Sequence, residues 1–206
     1  MILGLSSLSR ARAATFAVVA LFGVAFGRPG EAGGDEKARL EAGEVIIRAY
    51  AVKGSELPRT KLRAVINAPM EKVWAVIERC NDYKRTMVRV IESKELSRKG
   101  NVVTCRVKVD MPWPIDDLAA TTRAVHTAVP GKSYSRVWSL VDGDYKANEG
   151  GWKLTPWGDK PGRTYVEYEV YAVPKIAVPV WIQKKAARSA LTDLIERLRK
   201  FSGAKP

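Results

Sequence analysis

One imidazole and two thiols bound the chemistry open to this 206-residue chain. His126 is the only histidine. As a general base it would need a polar partner and access to a pocket, and its place late in a strand reads as surface or half-buried. Cys80 and Cys105 stand 25 positions apart. A zinc site of clustered Cys and His is therefore ruled out, as is any mechanism that needs two histidines. Asp116 and Asp117 are adjacent, so in an extended strand they point to opposite faces and form no carboxylate pair. They suit a turn after Pro112-Trp113-Pro114. Asp142-Gly143-Asp144 starts like a calcium loop, but Lys146 takes the next ligand position and the required Gly and Glu are missing. It reads as a hairpin turn. No catalytic residue, metal ligand or cofactor is expected from these residue types.

The N-terminus and the charge balance speak to compartment and partner. Arg10 and Arg12 are the only charges before residue 28, and the apolar run Ala13 to Phe26 ends at Gly27-Arg28-Pro29-Gly30. This is the layout of a secretory signal peptide over residues 1–27. The run is shorter than the roughly 20 residues a spanning helix needs, and an uncleaved anchor is the alternative. Residues 28–43 read as a linker entering a short helix, 44–201 as the domain and 202–206 as a tail. With 35 Lys+Arg against 22 Asp+Glu the net charge is +13, and losing Arg10 and Arg12 leaves +11. No nucleic-acid motif accompanies this charge, and export argues against such a partner. An anionic membrane surface is the candidate partner; a solvated basic surface without a specific partner is the alternative. Cys80 and Cys105 would pair in an oxidising compartment or remain two buried thiols.

Positioning any site falls to strands framed by two helices. Val45 to Val52 and Lys61 to Ile66 read as strands, the second alternating polar and apolar. Asn67-Ala68-Pro69 stops it and opens a helix, with Asn67 as its cap. Met70, Val73, Trp74 and Ile77 recur on that helix's buried face. Strands alone are expected from there to about residue 173. In the one spanning Val102 to Met111, Cys105, Val107, Val109 and Met111 share a face. Such short spacing between strands implies hairpins and an antiparallel sheet. A long helix from about Pro179 to Phe201 carries Ala187, Leu191, Leu194, Leu198 and Phe201 as an apolar stripe. Residues 179–206 hold seven basic and two acidic side chains. The fold class is α+β: a curved antiparallel sheet of about seven strands wrapped on a long C-terminal helix. A helix laid over a curved sheet can leave a cavity, which is where an apolar ligand would bind.

Local motifs sharpen this. Ala64-Val65-Ile66-Asn67-Ala68-Pro69-Met70-Glu71-Lys72-Val73-Trp74, then Asn81-Asp82-Tyr83-Lys84, Trp138 to Gly143, Asn148 to Leu154, Gly162 to Tyr168 and Pro179-Val180-Trp181-Ile182 follow in order. Together they resemble the START-like, or SRPBCC, helix-grip superfamily over residues 56–201, nearest its cyclase/dehydrase and coenzyme-Q-binding-like branch. The resemblance implies a hydrophobic pocket for a lipid, sterol, quinone or polyketide, and no single reaction. It places Trp138 and Leu140 inside, and Arg136 shares their parity. An inward Arg136 would meet a carboxylate or hydroxyl on an otherwise apolar ligand, or sit at the rim with its guanidinium in solvent; Arg123 carries the same ambiguity. Trp74 and Trp152 read as core. Trp113, between prolines, is expected near the pocket mouth. Trp181 would gate the pocket, touch a membrane or staple the helix start.

The expected ligand-binding set is thus Val107, Val109, Met111, Trp113, Arg136, Trp138, Leu140, Trp152, Tyr168 and Trp181. The functional expectation is an exported, non-enzymatic protein that binds or carries a hydrophobic small molecule or lipid, periplasmic or secreted. The alternatives are a cyclase/dehydrase-type enzyme using pocket polars such as Arg136, Tyr168 or His126, and an interaction module with a collapsed pocket.

Overall fold

A computed structural model describes residues 34–113, 115–158, 162–176 and 180–205, with backbone alone for residues 180–188. A short helix, α1 (Gly34–Glu41), precedes β1 (Ile46–Tyr50) and β2 (Arg59–Ile66). Helix α2 (Met70–Glu78), a 3-10 turn (Cys80–Asp82) and the one-turn α3 (Tyr83–Thr86) follow. Six strands come next: β3 (Val90–Lys99), β4 (Val102–Val109), β5 (Leu118–Val129), β6 (Ser133–Gly143), β7 (Tyr145–Pro156) and β8 (Thr164–Pro174). Helix α4 (Val180–Ser202) ends the fold.

The strands form one antiparallel sheet of eight, ordered β1-β2-β8-β7-β6-β5-β4-β3. Consecutive strands from β3 to β8 pair as hairpins, and β2 closes onto β8 with Leu62 opposite Tyr168. The first expected strand, Val45 to Val52, is the short edge strand β1, five residues long. The other edge, β3, carries Glu92, Lys94, Glu95, Arg98 and Lys99, charges that discourage pairing with another chain. Strands alone were expected after α2; the 3-10 turn and α3 interrupt that, in a polar run without periodicity.

Helix α2 buries Met70, Val73, Trp74 and Ile77, as their spacing requires, and Val76 with them. Asn67 is not its cap. Pro69 begins the helix, and the Asn67 amide instead accepts from Arg163 Nε at 3.1 Å. Helix α4 lies against α2, and Leu191, Leu194, Ile195 and Leu198 join Val73, Trp74 and Ile77 in one core. Each such side chain contributes about 1.5–3 kcal/mol on burial. The C-terminal end of α4 is fastened. Gly203, at φ 67°, lets the chain turn so that the Ala204 N–H reaches Arg199 O. Arg199 donates to Gly43 O at 2.7 Å, and the Lys205 N–H to Asn67 O at 3.1 Å. Leu40 of α1 packs with Ile46, Val65 and Tyr165 in a separate, smaller cluster.

Cys80 and Cys105 form a disulfide with Cα atoms 6.2 Å apart. It ties the turn after α2 to the middle of β4, and both residues are fully buried.

Candidate functional site: a cavity beneath the last helix

Sheet and helix do not close on each other everywhere. Toward its C-terminal end α4 meets α2 in solid core, but Ala190, Leu191 and Leu194 roof a cavity of about 390 Å³. Its floor and walls come from the inward faces of β3 to β8. Val90, Val107 and Val109 stand on one side, Trp138, Trp152, Tyr168 and Val170 on the other, with Tyr83, Met87 and Val88 closing the α3 end. The volume falls within the range of small-molecule sites, about 300–1,000 Å³. Arg136 is the only charged residue among the described residues that line it.

Local sequence explains the shape. Trp138 can lie flat across β7 because residue 150 is glycine: a Cβ there would stand 2.6 Å from the Trp138 ring and collide with the Glu169 carbonyl. Trp138 Nε1 donates to Asn148 Oδ1 at 3.0 Å, so its polar end is satisfied. Trp152 and Tyr168 face each other across β7 and β8 with centroids 4.3 Å apart. Burial pushes the Tyr168 hydroxyl above its usual range, and Tyr83 adds to this.

Of the expected ligand-binding residues, the structure brings Val107, Val109, Arg136, Trp138, Trp152 and Tyr168 together in the cavity wall. Met111 and Leu140 stand outside the lining, in an adjoining cluster with Leu118, Ala120 and Tyr145. Strand β4 stops at Val109, so the alternation does not carry Met111 inward. Leu140 sits opposite Thr122, where the register between β5 and β6 shifts. Trp113 is 93% exposed and stands outside the lining. The side chain of Trp181 lies outside the described residues.

Two findings correct the sequence reading. Arg136 is not at a solvent rim: it is 3% exposed. His126 is neither surface nor half-buried. It stands directly across from Arg136 on β5, 7% exposed, with Trp74 edge-on at 5.1 Å. An Arg136 guanidinium N–H meets His126 Nε2 at 2.6 Å. Burial, then the Arg136 charge, then Arg98, hold the imidazole pKa down at about 4. His126 is therefore neutral at physiological pH, and Nε2 accepts. Arg123, by contrast, is exposed.

The cavity runs toward one end of the sheet. There Leu118, Tyr145 and Ala172 line it, beside the β4–β5 loop and the chain leaving β8. That end is stitched by backbone bonds from Lys175 to Asp144 O and from Asp144 to Ala119 O, each 2.8 Å. Trp113, Val141 and Ile176 are exposed near it, at 93%, 59% and 42%.

Comparison with known proteins bears on this site. A family model described as polyketide cyclase / dehydrase and lipid transport matches residues 66–199. An uncharacterized protein of Pseudomonas aeruginosa is 27% identical over 202 residues, spanning 90% of this chain and 94% of its own length. Among solved structures, a STAR-related lipid transfer protein from Xanthomonas axonopodis superposes with a TM-score of 0.67 at 16% identity, covering 77% of this chain and 93% of the other. A Streptomyces aromatase/cyclase does so with 0.52 at 12%, covering 76% and 92%.

Proposed function

The chain belongs to the polyketide cyclase/dehydrase and lipid transport family of START-like proteins, and on that premise we propose that it is a carrier or binding protein for a hydrophobic ligand, lipid, sterol or quinone-like, held beneath α4. The observation that carries the reading is the cavity: about 390 Å³ of space walled by valines, leucines and aromatic rings. Each ligand methylene moved there from water contributes about 0.8 kcal/mol, so a chain of modest length binds with no special chemistry. The second reading, a cyclase/dehydrase acting on a hydrophobic substrate, is favoured by the likeness to an aromatase/cyclase. Among the described residues His126 lies behind Arg136 and outside the lining, so this reading would rest on Arg136 and the wall tyrosines Tyr83, Tyr145 and Tyr168.

The proposal includes export and docking to a membrane. The buried Cys80–Cys105 bond supports an oxidising compartment, alongside the signal-like segment at residues 1–27. Docking would use Trp113, exposed at the end of the sheet toward which the cavity runs. An aromatic ring at a loop tip suits the bilayer interface. Of the acids in the neighbourhood, Asp110 pairs with Arg89 at 3.2 Å and Asp117 with Lys108 at 3.3 Å, while Asp116 and Asp142 are exposed. The net positive charge of the chain, +13, would add attraction to anionic lipid. Transfer of a fluorescent lipid between phosphatidylglycerol-containing vesicles tests this. Trp113→Ala should slow transfer severalfold while leaving uptake of the same lipid from dilute solution unchanged. Undiminished transfer would contradict docking through this loop, and no uptake by the unaltered protein would contradict the carrier reading.

A further inference from the structure

Arg136 raises a question that a purely apolar ligand does not answer. A guanidinium has five N–H donors and a permanent charge. Here one donor is spent on His126, and among the described residues no carboxylate lies within 4 Å of the guanidinium to balance its charge. The partner is an imidazole that is neutral at pH 7. Glu95, whose carboxyl feels the Arg136 charge, is already held by Arg98 at 2.6 and 2.8 Å. The Tyr83 ring lies 5.7 Å from the guanidinium carbon and offers its π face alone. An arginine 3% exposed in such surroundings is costly unless something in the cavity completes it.

We infer that the ligand is a single-chain amphipath with a carboxylate head, seated on Arg136 with its tail along the apolar wall, and that His126 selects for it as a positioning residue. This rests on the carrier reading and narrows it. The guanidinium fork matches a carboxylate in geometry. One cation neutralises one anion. A phosphate monoester, with up to two charges, would leave an uncompensated one in a pocket whose other described lining residues are uncharged. A neutral alcohol would leave the cation unbalanced. The neutrality of His126 is what keeps the site open to an anion, since an acid at position 126 would close an internal ion pair with Arg136 directly across the strand.

Binding of oleate, oleyl alcohol, methyl oleate and hexadecyl phosphate to the delipidated protein tests this, followed by quenching of tryptophan fluorescence. The expected result is oleate ahead of the alcohol and the ester by roughly tenfold to a hundredfold, the factor of one charge-assisted hydrogen-bond pair, and ahead of the phosphate. Arg136→Met should bring oleate down to the level of the alcohol. His126→Glu should erase the preference with the guanidinium still present, whereas His126→Gln, a neutral acceptor, should keep it. A cooperative thermal transition in each variant establishes that it folds, and the two positions report independently. Equal binding of oleate, alcohol and ester by the unaltered protein, or a preference that survives both Arg136→Met and His126→Glu, would overturn the inference and leave the carrier reading intact. Tighter binding of the phosphate would overturn the carboxylate assignment. If none of the four probes binds, the carrier reading itself fails.

Discussion

His126 and Arg136 show how two residues set the character of a whole pocket. The imidazole is buried beside a permanent cation, so its folded-state pKa of about 4 lies well below the ordinary 6.5. Between about pH 6.5 and 4 the unfolded chain binds a proton at His126 that the folded chain refuses, so stability falls as pH falls through that window. The loss is on the order of 3 kcal/mol from a shift of this size. His126→Gln should remove this component. Chemical denaturation of both proteins at pH 7 and pH 4 is expected to show the unaltered protein losing more stability on acidification; parallel losses would contradict the placement of His126. None of this was readable from β5. Its outward residues Val125 and Val129 are as apolar as its inward Ala120 and Ala124, so alternation gives no face to the strand. Arg136 was legible as a parity match to Trp138, but parity alone does not tell a buried guanidinium from one at the rim.

At the level of elements, the disulfide and the last helix divide the work. Cys80 lies in the turn after α2 and Cys105 in β4, whose Cys105 and Val107 line the cavity. The bond therefore fixes the α2–α3 corner against the wall. A crosslink closing a loop of 25 residues stabilises by about 3 kcal/mol, mainly through the unfolded chain. The Cys80→Ala, Cys105→Ala double variant should lose about that much in denaturant unfolding, and reductant should affect only the unaltered protein. Two free thiols titrated in denatured, unreduced protein would contradict the bond. Much at this scale could be read in advance. Helix α2 and the apolar stripe of α4 follow a 3.6-residue period, and β2, β4 and β8 alternate well enough to fix their faces. What could not be read depends on partners distant in sequence. The end of β4 is set by where β5 begins, so Met111 drops out of the wall. Similarly, the register shift near Thr121 diverts Leu140, and Asn67 gives up a cap for a bond to Arg163.

Across the whole molecule, one sheet and one helix are in contact along part of their length and parted along the rest. The contacts of α4 with α2 hold the fold together, which frees the stretch at Ala190, Leu191 and Leu194 to roof a hollow. Net charge, the exposed Trp113 and the buried disulfide all bear on where such a protein would work, and the cavity bears on what it does there. The most direct measurement is native mass spectrometry of the protein purified from its own cells without detergent, with solvent extraction of whatever it holds. The account predicts one long-chain apolar molecule per protein chain, released by organic solvent. A protein that is empty as isolated, and that stays empty after incubation with lipid vesicles, would contradict it.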